Sequence, residues 1–253
     1  MILGIFLHST FEIKSFATSD VGLVRSNNED AFKMLEKHHF YILADGMGGH
    51  NAGEIAAEKA CEYMCHLIES LPLENLTVKD IPALGEQLLS LMHKTNLWVH
   101  HLSHKTPELF GMGTTLCSLL FFRDYMLSSH VGDSRIYRLR DGLLMKITSD
   151  HLTGNKNREP LSTKESKKKS SLTQAIGTSV EVKPSLLKAE AKAGDIFLMC
   201  SDGLSDLVKD EELEKILQSH TSLEGVSKFL IELAKSRGGH DNITLLLVKL
   251  NQK

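Results

Sequence analysis

The chain has 253 residues, 42% of them hydrophobic and 24% charged, with 32 acidic against 29 basic side chains for a formal charge of −3. A chain of this length buries roughly 70–75% of its unfolded surface, so neither disulfides nor a structural metal is needed to hold it together. The near-balanced charge leaves no electrostatic footprint for nucleic acid, and aromatics at 6% are too few for a base-stacking platform.

The chain opens on MILGIFLHSTF, which lacks a basic flank and a small-residue cleavage site. No run reaches the roughly 18 apolar residues of a membrane span, so a cytoplasmic protein without a membrane segment is expected. Phe11 to Thr18 alternates in part and predicts a first strand. His39 to Ala44 is a short apolar run that stops at Asp45-Gly46-Met47-Gly48-Gly49, as a buried strand does when it delivers a loop. Helical spacing follows from Gly53 to Glu69, with Ile55, Ala60, Tyr63, Met64, Leu67 and Ile68 on one stripe. A second helix is predicted over Ile81 to Leu102, with Ile81, Leu84, Leu88, Leu91, Thr95, Trp98 and Leu102 inward. Beyond Gly113 strands dominate: Thr114 to Phe122 and Tyr125 to Val131 meet across Arg123-Asp124, and Ile136 to Arg140 meets Leu143 to Ile147 across Asp141-Gly142. Asp-Gly between apolar runs is a type I′ hairpin signal, because both central residues need positive φ. Gly154 to Ser171 is polar and Lys-rich and reads as a solvated surface loop, or more sharply as a flap beside an active site. Asp195 to Cys200 and Ile243 to Leu250 are buried strands, with helices over Asp210 to Ser219 and Ser222 to Arg237 between them. Strands in consecutive hairpins and helices in pairs predict an α+β protein with antiparallel sheets covered by helices, as a single domain over residues 1–253. Cys61, Cys65, Cys117 and Cys200 are too few for a disulfide scaffold and are expected to be reduced and buried.

The chemistry lies in where the aspartates stand. Asp45, Asp133, Asp202 and Asp241 each sit at the end of an apolar run beside a glycine-containing turn, and Glu29-Asp30 precedes Ala31-Phe32. A lone aspartate there is ordinarily a turn residue or helix cap. Several gathered in one domain would repel one another unless a cation neutralised them. Hard divalent ions, Mg²⁺ or Mn²⁺, suit such an all-oxygen set. A glycine beside an aspartate lets its own carbonyl approach the ion. The histidines read as scattered or adjacent, as in His38-His39 and His100-His101, so zinc is disfavoured. Arg25, four residues before Glu29, is by default a solvated turn arginine, whereas next to a metal-carboxylate cluster its guanidinium would suit bidentate phosphate binding. Gly46-Met47-Gly48-Gly49 lacks the Lys-Ser/Thr ending of a P-loop.

Six motifs occur in order: SDVGLVRSNNEDAF, ADGMGGHNAGEIAA, GMGTTL, HVGDSRIYRL, CSDGLSD and GGHDNIT. Together they resemble the metal-dependent protein phosphatases (the PPM or type 2C serine/threonine phosphatases) in their compact bacterial form, from about Phe16 to Leu250. The resemblance implies a four-layer α-β-β-α sandwich with two mainly antiparallel sheets covered by helix pairs, and a metal centre at one edge between the sheets. It implies that Asp45 bridges two Mn²⁺ or Mg²⁺ ions, that the Gly46 carbonyl binds one of them, and that Asp202 and Asp241 complete the site. Glu29 and Asp30 would act through waters, Asp133, Asp202 and Asp206 would hold a third, weaker ion, and Arg25 would hold the substrate phosphate. The implied reaction is hydrolysis of phosphoserine and phosphothreonine by a metal-activated water, with no protein nucleophile. The implied partner is a phosphorylated protein, a paired kinase or its target, met by a monomer.

The sequence departs from that pattern twice. Met47 follows Asp45-Gly46 where some relatives carry a histidine general acid, which leaves His50 or a metal-bound water to protonate the leaving group. The stretch before Leu172 lacks a His-Pro-x-Arg-Asn element and carries Lys167-Lys168-Lys169-Ser170-Ser171 instead. The competing readings are a non-catalytic member of the fold that binds a phosphoprotein, and a phosphatase specialised for one regulatory or secretion-system partner. Retention of Asp45, Asp202 and Asp241 argues against the first.

Overall fold

Along the central strands, side chains alternate between two different cores, which is why the sequence reads there as unbroken apolar runs instead of a period-two pattern. In β3 (Phe40–Met47), Phe40, Ile42 and Ala44 enter one core while Tyr41 and Leu43 enter another. In β11 (Ile243–Gln252), Ile243, Leu245 and Leu247 face outward to helices while Leu246, Val248 and Leu250 face the second sheet. The computed structural model describes residues 10–48, 52–153, 171–219 and 222–253. The N-terminal MILGIFLHS, His50 with its neighbours, and residues 154–170 of the predicted flap lie outside the described residues.

Two antiparallel sheets result. One has the order β1 (Phe11–Asp20), β11, β10 (Ile196–Cys200), β7 (Arg135–Arg140), β8 (Leu143–Lys146). The other runs β2 (Asp30–Leu35), β3, β5 (Leu116–Phe122), β6 (Tyr125–Val131), β9 (Ser185–Glu190), with the two-residue β4 (Gly113–Thr114) paired to β3. The helices α1 (Ala52–Glu69) and α2 (Ile81–Lys105) share a core with the β3 sheet. The short α3 (Asp202–Ser205), with α4 (Asp210–Ser219) and α5 (Leu223–Ser236), shares one with the β11 sheet. A third core, containing Tyr41, Phe121, Phe197, Met199 and Leu246, lies between the sheets. This is the expected α-β-β-α layering.

The Asp141-Gly142 hairpin forms as its composition requires, with φ of 51° and 79°. All four cysteines are free and buried. The buried stripe of α1 is rotated from the expected one: it runs through Ala56, Ala57, Ala60, Cys61, Met64, Cys65 and Ile68, with Ile55 and Leu67 at its margin. Small residues at its centre let the helix approach the sheet closely, while the larger apolar residues flank the contact. Two strands carry no expectation from the sequence. In β2 no residue is fully buried, and β9 is exposed at several positions, as edge strands with lysine and glutamate are.

Candidate active site

The acidic residues come from both sheets and meet at one end of the sandwich. Asp45, near the end of β3, stands directly opposite Asp30, the first residue of β2. Asp202 opens α3 just beyond β10, and Asp241 precedes β11, the strand beside it. Asp133 lies in the turn between β6 and β7, and Asp206 caps α3, its N–H donating to the Asp202 carbonyl at 2.8 Å. The sheets are tied together here: Ser201 Oγ donates to Asp30 Oδ2 at 2.7 Å.

The backbone of Asp45 is clamped by Thr114, the last residue of β4, and Thr115 beside it. Its N–H donates to Thr115 Oγ1 at 2.9 Å, and its carbonyl accepts from Thr115 N–H at 2.8 Å and Thr114 Oγ1 at 2.9 Å. Gly46 is required by close approach: a Cβ there would lie 2.1 Å from the Gly53 carbonyl oxygen at the start of α1. Asn242, buried beside Asp241, organises the turn before β2. Its side-chain amide donates to the carbonyls of Val21 and Asn27 at 3.0 and 2.9 Å and accepts from Glu29 N–H at 2.8 Å. The sequence reading gave no role to Asn242, Ser201 or Thr115. They lie inside the quoted motifs, but a hydroxyl or amide whose partners are distant in sequence carries no chemical signature of its own.

Electrostatically the ring is unneutralised. Burial, and then the neighbouring Asp30, Asp202, Asp241 and Asp133, push Asp45 well above the ordinary carboxylate range. Asp30 is pushed up to about 7, mainly by burial and despite hydrogen bonds from Thr244 and Ser201. Asp202 also rises to about 7, through burial and the charges of Asp133, Asp206 and Asp241. Asp133 rises too, by burial first. The cation at the rim is Arg25, whose Nη2 lies 2.7 Å from Asp241 Oδ2, with both side chains substantially exposed. That hydrogen bond holds its guanidinium still more firmly protonated. Glu29 stands slightly apart, with its Oε2 only 2.3 Å from where a Cβ on Gly53 would be.

The donor set fits hard divalent cations: every converging side-chain donor is a carboxylate oxygen, and the Gly46 backbone approaches without a side chain between. Among the described residues no three His, Cys, Asp or Glu groups make a ready ligand cage by themselves. An ion that keeps several of its waters needs none. The histidines are less scattered than expected. The rings of His100 and His104, four apart on α2, lie tilted with centroids 4.2 Å apart, and those of His130 and His151 stack at 4.8 Å. His104 Nδ1 is engaged with the His100 carbonyl at 2.8 Å and His130 Nε2 with the Ser149 carbonyl at 3.0 Å. Met47, at the end of β3, pairs with Gly113. Among the described residues no helix is long and apolar enough to cross a membrane.

The chain is similar to known proteins. The family model for protein phosphatase 2C matches residues 24–236. The serine/threonine protein phosphatase PstP of Mycobacterium tuberculosis is 38% identical over 94% of this chain, which spans only 45% of the PstP length. The serine/threonine phosphatase stp of Listeria innocua is 32% identical, with 92% of this chain and 94% of that protein covered. A crystal structure of the PstP catalytic domain in complex with two manganese ions superposes with a TM-score of 0.78 at 36% identity, covering 94% of this chain and 98% of the other. With the family model spanning residues 24–236 and the Listeria relative matched nearly end to end, this chain belongs to the protein phosphatase 2C family.

Proposed function

We propose that this chain is one catalytic domain that hydrolyses phosphoserine and phosphothreonine in cytoplasmic phosphoproteins. The observation that carries the reading is the convergence of the site's carboxylates with too few cations of their own. Burial and neighbouring carboxylate charge push Asp30, Asp45, Asp133 and Asp202 above the ordinary carboxylate range. Asp45, Asp202, Asp241 and the Gly46 carbonyl would hold two Mn²⁺ or Mg²⁺ ions. Asp133, Asp202 and Asp206 would hold a third, with Glu29 and Asp30 acting through waters. Bound there, the ions would supply a water acidic enough to ionise near neutral pH and positive charge facing the phosphoryl oxygens.

The chain's own groups do the rest. Arg25 offers its planar donors to the phosphate in place of the Asp241 oxygen it now holds at 2.7 Å. Asp30, fixed by the Ser201 hydroxyl, orients water beside Asp45. The Thr114 and Thr115 clamp keeps the Asp45 main chain from moving as charge develops. No cysteine serves as nucleophile: all four are buried, and burial holds the thiols of Cys65 and Cys200 up at about 12.

The test is dephosphorylation of phosphoserine, phosphothreonine and phosphotyrosine peptides with manganese, and after exhaustive metal removal. Turnover of the first two that vanishes without metal is expected. Undiminished activity in metal-free protein would overturn the assignment.

A further inference from the structure

The short turn that carries Arg25 also carries three exposed apolar side chains. Val21, Leu23 and Val24 are 37%, 61% and 66% exposed. Single exposed apolar residues are ordinary on a protein surface, but three within four residues beside a phosphate-holding arginine are not. Neither Leu23 nor Val24 belongs to any of the three cores.

The turn is held firmly. Gly22 N–H donates to Asp20 Oδ1 at 2.8 Å, Leu23 N–H to the Gly239 carbonyl at 2.8 Å, and Asn242 Nδ2 to the Val21 carbonyl at 3.0 Å. Gly22 has a φ of 79°, and a Cβ there would come within 2.3 Å of the Asp241 carbonyl oxygen, so the turn rests directly on the Asp241 segment. Such anchoring keeps Leu23 and Val24 outward when they would otherwise fold back onto the protein. The turn carries no charged side chain between Asp20, which Lys235 occupies at 3.0 Å, and Arg25. Between those two charges it therefore offers contact to an apolar neighbour of the phosphate.

We propose that Leu23 and Val24 form an apolar shelf that receives an aliphatic or aromatic side chain within two residues of the phosphorylated serine or threonine. Reach supports this: Val24 is one Cα step, about 3.8 Å, from Arg25, and an extended peptide advances about 3.3 Å per residue. A substrate whose phosphate meets Arg25 thus brings residues close to the phosphorylated one within reach of Val24 and Leu23. The shelf rests on the reading of Arg25 as the phosphate holder, and it makes this turn a specificity-determining element.

The experiment uses phosphothreonine peptides with leucine or serine at the two positions on either side of the phosphorylated residue. A partly buried aliphatic contact changes kcat/KM by about three- to tenfold. Wild-type protein with manganese should favour the leucine series by that factor, mainly through KM, and Val24→Ser should bring the ratio to within about twofold. A wild-type ratio near one, or a preference that Val24→Ser leaves intact, overturns the shelf. Hydrolysis of p-nitrophenyl phosphate by wild-type protein separates the two readings. Its absence with manganese counts against the phosphatase assignment alone, while peptide affinities measured by fluorescence anisotropy on the same proteins still decide the shelf.

Discussion

Strand β10 has an aspartate beyond each of its ends, and the two meet opposite fates. Asp195, just before the strand, is almost fully buried, and Arg140 grips it twice, Nε to Oδ1 at 2.7 Å and Nη2 to Oδ2 at 2.6 Å. Asp202, just after it, faces Asp133, Asp206 and Asp241, and its carboxyl is pushed up to about 7. The fold thus supplies its own counter-charge at one end and withholds it at the other. A carboxylate paired with arginine secures structure. One left among its own kind costs stability until a cation arrives from outside, which is how a site gains affinity for such an ion. Asp150 belongs with the first group: burial would raise it, but hydrogen bonding and charge from Arg135, then Lys146, hold it below the ordinary range.

The strongest way to break this contrast is Asp45→Asn. Turnover with manganese should fall by about a hundredfold or more, while the metal-free protein should melt no lower than wild type, because one member of a repelling set is removed. Wild-type turnover would mean the metal assignment is wrong. A large loss of metal-free stability would mean the ring is structural.

At the other end, Arg140→Ala should leave metal dependence intact at permissive temperature but cost about 3 kcal/mol in urea unfolding, since it strands the buried Asp195 carboxylate. A cost below about 1 kcal/mol would place Asp195 in effective contact with solvent.

The mildest probe is pH. Asp30 and Asp202 titrate at about 7 in the folded protein against roughly 3.9 when unfolded. Their folded pKa values are raised, so the stability they contribute is fully present below the unfolded value and is lost as pH rises through about 7. Metal-free protein should therefore melt at a lower temperature at pH 8 than at pH 5, and manganese should narrow the difference. Carboxylates held low by cations, such as Glu212 at about 2 beside Arg237, are already ionised across that window and do not offset it. Equal melting temperatures at the two pH values in metal-free protein would contradict the raised carboxyls.

Legibility followed burial. The strands covered on both faces, β3, β10 and β11, announce themselves as apolar runs, and the Asp141-Gly142 turn is dictated by positive φ. The edge strands β2 and β9 have no such signal, because half-exposed residues tolerate lysine and glutamate without a clean alternation. In the site, Asp45, Asp133, Asp202 and Asp241 were readable from their places beside glycine turns. Asn242 and Thr115 were not, since their partners are distant in sequence.

By itself the sequence determined which residues can bear charge, turn tightly or fill a core, and its ordered motifs determined the family. Only the tertiary structure decided which aspartates lack a cation. Whether Asp195 meets Arg140 or Asp202 meets Asp133 depends on which strands lie side by side, and a carboxylate's energy is set by the charges and water within a few ångströms of it.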